Sequence, residues 1–210
     1  SIGHVAPVLY ATLAHAGYFP HEELLTLRKL GSRLQGHPGR DHGLPGIELS
    51  AGSLGQGLSV AVGMALSAKI DNAHWGVFSI HGDGELQEGS IWEAAMSAAH
   101  YKLDNLCALV DKNSLQITAP TAEVMSTDPL GKKWEAFGWA VKEIDGNDID
   151  ALRAAFNALP FEAGKPSVII AHTIKGKGVS YMENELKWHH GVPTAEQYEQ
   201  AISELNQKLS

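Results

Sequence analysis

The sequence has 210 residues, 44% of them hydrophobic and 19% charged, so it can bury a substantial core and is far too apolar for a disordered tail. A formal net charge of −8 with no offsetting Lys/Arg cluster excludes a nucleic-acid-binding surface, and a small anionic ligand needs a local counterion. The lone Cys107 excludes an internal disulfide; inside the apolar run Leu106 to Val110 it is expected as a small buried hydrophobe of a cytoplasmic protein.

In chain order, Val5 to Ala16 is dense in apolar residues, and in His21 to Leu30 the residues Leu24, Leu25, Leu27 and Leu30 recur at helical spacing. Both predict helices, separated by a turn at Gly17 to Pro20. Gly31 to Gly57 is rich in Gly, Pro and polar residues and predicts a long loop, a kind of connector that tends to carry function. Leu58 to Ile70 predicts a buried helix entered directly from that loop. Strands and helices then alternate: strand Val77 to Ile80, helix Ser90 to Tyr101, strand Leu106 to Val110, helix Pro129 to Phe137, strand Ala140 to Ile144, helix Ile149 to Leu159 and strand Ser167 to Ala171. This βαβ order predicts one α/β domain over 1–210, a parallel β-sheet with helices on both faces. A C-terminal extension over 180–210 ends in an amphipathic helix, Thr194 to Leu209, capped by Thr194 with Glu196 and Gln197 near the third position.

Ligands of such sheets bind at the carboxyl ends of strands. Two unusual segments, Gly82-Asp83-Gly84 and Asp111-Lys112-Asn113, lie just beyond predicted strand ends. A Gly-Asp-Gly alone reads as a turn. Here Asn113 follows Asp83 by one helix and one strand, so adjacent parallel strands deliver both side chains to one sheet edge. Magnesium takes about six oxygens, and is usually held by one or two protein groups with phosphate and water. The Asp83 carboxylate, the Asn113 amide oxygen and the Leu115 carbonyl supply part of such a set, with a diphosphate and water completing it. Gly82 and Gly84 allow close backbone approach, and Gly84 has an N–H to offer to phosphate.

Gly-Asp-Gly followed at this distance by Asn resembles the signature of the thiamine diphosphate enzymes. The extended form, Gly82-Asp83-Gly84-Glu85-Leu86-Gln87-Glu88-Gly89, is similar to the transketolase version, and the resemblance runs from Gly3-His4 to Trp188-His189-His190. It implies the thiamine diphosphate-binding fold, with thiamine diphosphate and Mg2+ as cofactors and Ca2+ or Mn2+ as substitutes. Residue by residue, it implies Asp83, Asn113 and the Leu115 carbonyl as metal ligands. Gly52-Ser53-Leu54 matches the loop that approaches the cofactor, where the family often has Pro in place of Ser53. His4 matches a histidine near the diphosphate, in a Ser-x-Gly-His motif with Ile2 at x. Gly84 and Glu85 of the extended motif, and Lys175 of Lys175-Gly176-Lys177-Gly178, are implied beside the cofactor. His37 matches a histidine that touches donor substrate, and Glu88 an acid at the subunit interface that links two active sites. In Trp188-His189-His190-Gly191 two residues compete for the active-site histidine: spacing from Lys175 favours His189, also a cofactor contact, with His190 the alternative.

The family's glutamate that drives loss of the cofactor's C2 proton, and its residues for substrate phosphate, lie on a second domain of another chain, and nothing here matches them. The resemblance therefore implies the diphosphate-binding subunit of a split transketolase. It would move a two-carbon ketol unit between sugar phosphates only with a C-terminal pyrimidine-binding subunit, in an α2β2 assembly. His37 and His189 would then hydrogen-bond donor oxygens and assist proton transfers. The first residue is Ser1, and the family's first active-site histidine is expected before it. The competing expectations are another thiamine diphosphate enzyme, such as a deoxyxylulose-phosphate synthase or a keto-acid dehydrogenase component, and a catalytically incomplete fragment. Nucleotide and zinc motifs do not fit: Val60 stands where a dinucleotide fingerprint starting at Gly55-Gln56-Gly57 needs its third glycine, and there is no Gly-Lys-Ser/Thr loop or Cys-pair pattern. No apolar run approaches the roughly 18 residues of a membrane span, so no membrane partner is expected.

Overall fold

The structure, a computed structural model, describes residues 1–209. Four short apolar segments form strands: β1 (Val77–Gly82), β2 (Leu106–Lys112), β3 (Ala140–Asp145) and β4 (Ser167–His172). They make one parallel sheet in the order β1-β2-β4-β3. Successive side chains of a strand point to opposite faces, and the two faces of this sheet carry different layers. Leu106, Ala108, Val110, Val168 and Ile170 pack against α2 (Gln56–Ile70), α3 (Gly89–His100) and α5 (Leu130–Ala136). Trp134 of α5 is the largest side chain sealed in that layer, its ring 4.7 Å from that of Trp139, whose indole N–H donates to the Ala95 carbonyl. Cys107 and Ile169 point the other way and pack with Ala155 of α6 (Ile149–Asn157). Helices thus cover both faces, and Cys107 is buried as expected. On β1 that second face stays open: Phe78 is 61% exposed and Ile80 52%, and the Phe156 ring of α6 meets Phe78 edge-on.

The strands run one or two residues further than their apolar cores suggest, because backbone pairing continues as Gly82 opposite Asp111 and Lys112 opposite His172. Gly82, Asp111 and Lys112 are therefore strand residues, and Asp83 is the first residue past the end of β1.

A second layer is built on α1 (Ala6–His15), entered through a 3-10 turn at Gly3–Val5. Ala6, Tyr10 and Ala14 pack with Phe19, Leu34, Leu44 and Ile47. The helix expected over His21 to Leu30 is not formed. A 3-10 helix spans His21–Thr26, Leu27 leaves the helical conformation (ψ 124°), and Arg28 turns to φ 60° with its N–H donating to the Leu34 carbonyl at 2.8 Å. Helical spacing misled because the leucines do not share a buried face: Leu24 and Leu27 pack inward, whereas Leu25 is 77% exposed and Leu30 fully so. A bidentate Arg33–Glu23 pair, both contacts 2.8 Å, holds the doubled-back chain.

The sequence pattern did not reveal α4 (Thr121–Val124) or the 3-10 turns Gly84–Gln87 and Leu186–His189. The terminal helix α7 (Ala195–Leu209) has the expected cap: Gln197 N–H donates to Thr194 Oγ1, and Gln197 Oε1 accepts from Thr194 N–H. No helix among the described residues is long and apolar enough to cross a membrane.

Candidate functional site

At the carboxyl ends of β1 and β2, Asp83 is 2% exposed and accepts two backbone amides, Ser114 N–H at 2.7 Å and Gly84 N–H at 2.9 Å. Asn113 Oδ1 accepts the Leu115 N–H at 3.0 Å, and its amide nitrogen donates to Asp111 at 2.9 Å. The segment carrying Leu115 is pinned by a bridge to Pro120 and by the Thr121 N–H on the Ser114 carbonyl. Asp83, Asn113 and Leu115 are thus brought to one edge, as their spacing predicts. Burial pushes the Asp83 carboxyl above its ordinary value, against the two amide donors, and nearby Asp111 pushes the same way. Lys112 lies close, yet its ammonium is engaged by Asp128 at 2.6 Å. A buried carboxylate beside a second acid, with no side-chain cation bonded to it, gains from a divalent ion. Among the described residues no group of three or more His, Cys, Asp or Glu is arranged to hold a metal. An ion here would rely on amide, backbone and ligand oxygens, the donor set that suits Mg2+. The residues present fit that group. The Gly84 N–H, expected to be free for phosphate, is taken by Asp83.

The second cluster comes from loops that the sequence scatters. His4 and His189 stack with ring centroids 4.7 Å apart, and the two rings feel the charge of Lys175. Lys175 makes no ion pair among the described residues, while Lys177 lies 3.8 Å from Glu183. His189 sits at the end of the 3-10 turn Leu186–His189, which Trp188 anchors through its indole N–H to the Tyr181 carbonyl at 2.9 Å. Its Nδ1 is buried without a hydrogen-bond partner. Burial first, then His4, Lys175 and His190, bring the His189 ring down to about 4. His190 is exposed, 6.2 Å from His189, and has no ring contact with His4. Of the two, His189 is the one in the cluster.

His37 reaches this cluster through glycine. A Cβ on Gly3 would sit 2.6 Å from His37 Cδ2 and one on Gly52 2.7 Å, so the ring occupies space that two glycines leave empty. Gly52 has φ 143°, a conformation that L side chains rarely adopt. The Ala51 N–H on the Pro38 carbonyl at 3.0 Å ties the His37 loop to the Gly52 loop. Ser53 is exposed and Leu54 half-buried beside it.

Two acids of the extended motif behave differently. Glu88 is exposed and lies against Gly55, where a Cβ would meet the Glu88 Cβ at 2.6 Å. Glu85 is buried at 3% exposure, with Oε1 accepting the Gly55 N–H at 2.8 Å and the Ser1 hydroxyl, and Oε2 accepting the Gly82 N–H at 3.2 Å. His81 Nδ1 stands 3.3 Å from the same Oε1, and its Nε2 is 2.9 Å from Ser79 Oγ. Burial alone would raise the Glu85 carboxyl, but His81, the Ser1 hydroxyl and the Gly55 amide hold it down at about 2.

The family description "Transketolase, thiamine diphosphate binding domain" matches residues 1–209. The chain belongs to the transketolase family. One of the subunits of the apulose-4-phosphate transketolase of Phocaeicola vulgatus is 49% identical over 209 residues, which are 100% of this chain and 74% of that protein. A subunit of the 6-deoxy-6-sulfo-D-fructose transketolase of a Clostridium species is 45% identical over 208 residues, 99% of this chain and 75% of that one. The crystal structure of Campylobacter jejuni transketolase superposes with a TM-score of 0.89 at 32% identity, over 97% of this chain but only 33% of that one. The chain therefore corresponds to the N-terminal, thiamine diphosphate-binding domain of a transketolase, and spans about a third of the solved enzyme it matches. Within this transketolase domain, sequence reasoning passed over His81 and Ser114 and gave Gly3 and Asp111, which lie in its motifs, no role of their own.

Proposed function

We propose that this chain is the diphosphate-binding subunit of a two-subunit transketolase, which transfers a two-carbon ketol unit between anionic sugars. The observation that carries the reading is Lys175, which makes no ion pair among the described residues, beside the His4–His189 pair at the sheet end where Asp83 and Asn113 also stand. Asp83, the Asn113 oxygen and the Leu115 carbonyl would hold Mg2+. Lys175 and His4 meet diphosphate charge, which an acidic surface otherwise repels. Thiamine diphosphate, once bound, supplies the carbanion chemistry, and the protein supplies position and electrostatics. His189, uncharged at neutral pH, orients a donor oxygen and exchanges a proton with it, and His37 approaches the same space from the glycine side.

Glu88 and the neighbouring exposed Ile117, Val124 and Met125 support a subunit contact on this side, the last segment being tied to Gln87 through the Met125 carbonyl. The partner of this reading is a C-terminal pyrimidine-binding subunit in an α2β2 complex, in the cytoplasm. The names of the two subunit relatives describe a phosphorylated and a sulfonated ketose, which supports a ketose donor with an anionic group remote from its carbonyl. The test is a coupled ketol-transfer assay with Mg2+ and thiamine diphosphate, on this chain alone and with the C-terminal subunit. Activity is expected only with both, and full turnover by this chain alone would refute the split arrangement.

A further inference from the structure

Asp83 and Glu85 are two residues apart and reach in opposite directions. Asp83 turns to the loop after β2 through Ser114, whereas Glu85 turns to the loop before α2. Glu85 is there the sole acceptor described for the Gly55 N–H, a buried amide at the N-cap of a 15-residue helix. An amide in that position needs an acceptor, and an anion suits it because the helix dipole is positive at that end. The other oxygen of the same carboxylate accepts the Gly82 N–H, the last strand residue before Asp83. One buried side chain therefore ties Gly55 to Gly82, two glycines 27 positions apart in the sequence. Ser1 reinforces the tie, its hydroxyl donating to Glu85 Oε1 and accepting the Gly57 N–H at 3.3 Å, whereas Ser90 Oγ reaches the Gly55 carbonyl alone.

We infer that Glu85 is a positioning residue, a buried carboxylate strap that locks the Gly52–Gly57 loop to the Gly82–Asp83–Gly84 loop so that both meet one diphosphate cofactor in register. The inference rests on the proposed cofactor site for its consequence, but the strap itself is a property of the chain without ligand. A carboxylate accepts at both ends; a carboxamide of the same shape accepts at one and donates at the other. Glu85→Gln therefore keeps the packing while setting an N–H against one of the two glycine amides.

Two measurements on the complete protein test this, with wild type, Glu85→Gln and Glu85→Ala compared well below their melting temperatures. Amide hydrogen exchange without cofactor should show protection falling at least tenfold at both Gly55 and Gly82 in each variant. Calorimetry with Mg2+ and thiamine diphosphate should show affinity weakened at least tenfold in each variant. A residue that merely filled space would be replaced by Gln with no change in affinity. Unchanged affinity in Glu85→Gln, or protection lost at one glycine only, overturns the inference. Failure of wild type to bind the cofactor would sink the proposed function instead, and the exchange data would then decide the strap alone.

Discussion

His4 and His189 stack at 4.7 Å with their ring planes tilted by 44°. Two imidazoles so close, with Lys175 nearby, cannot both carry charge cheaply, and both are lowered from the ordinary histidine value, mainly by burial. The pair therefore meets a ligand as neutral hydrogen-bonding rings, and the permanent charge comes from Lys175.

The first prediction concerns titration. The His189 ring should titrate near 4 when followed by proton NMR, and His4→Asn should raise that midpoint only part of the way, because burial outranks the His4 charge. The folded value lies below the unfolded 6.5, so protonation favours unfolding. The contribution is complete above pH 6.5 and is lost as pH falls through 4. A midpoint at or above 6.5 would contradict the burial of this ring.

A second prediction follows from Asp83. Asp83→Asn removes a buried charge next to Asp111 but turns a donor toward Ser114 or Gly84, so the unliganded stability should change by only about 1 kcal/mol. Magnesium-dependent binding of thiamine diphosphate should nonetheless fall by roughly 100-fold, about 3 kcal/mol. Calorimetry of the variant beside wild type, with and without chelator, checks this, and unchanged affinity would remove Asp83 from the metal site.

How far the sequence could be read depends on whether a signal is local. Parallel strands announce themselves as short apolar runs, and β2 and β4 were legible for that reason. Spacing alone brought Asp83 and Asn113 to one edge. The leucines of His21 to Leu30 were misread because spacing says which residues share a stripe, not whether anything lies beneath it. His81 and Glu85 were invisible as a pair because burial creates their relationship. Gly3 and Gly52 meet each other and the His37 ring, which is distant in sequence from Gly3, and no local pattern encodes that meeting.

The third prediction uses Cys107. Burial pushes its thiol up to about 12, and the residue is 4% exposed. Since the thiolate is the reacting form, a disulfide reagent at pH 8 should leave the native protein unlabelled for as long as it stays folded. The labelling rate should rise with urea in step with unfolding. Immediate stoichiometric labelling of the native protein would show that the α6 layer does not cover this face of the sheet.

The last prediction separates two glycines that look alike. At Gly52 a Cβ would meet His37 Cδ2 at 2.7 Å and Cγ at 3.3 Å, but the His37 Cβ only at 3.6 Å, so the conflict is with a ring that a substitution can remove. At Gly3 the nearest atom is the Gly52 Cα at 2.5 Å, which no side-chain change can move away. Gly52→Ala should cost about 1–3 kcal/mol from its φ and the clash together. His37→Ala should lower turnover by roughly 10²–10⁴ while cofactor binding stays nearly intact. In the Gly52→Ala/His37→Ala double variant part of the stability loss should return, a coupling of about 1 kcal/mol, whereas Gly3→Ala/His37→Ala should keep most of the Gly3→Ala loss. Urea denaturation of the single and double variants measures both cycles. Strict additivity at Gly52 would mean that the His37 ring does not rest on that glycine, and the route by which His37 enters the site would have to be drawn differently.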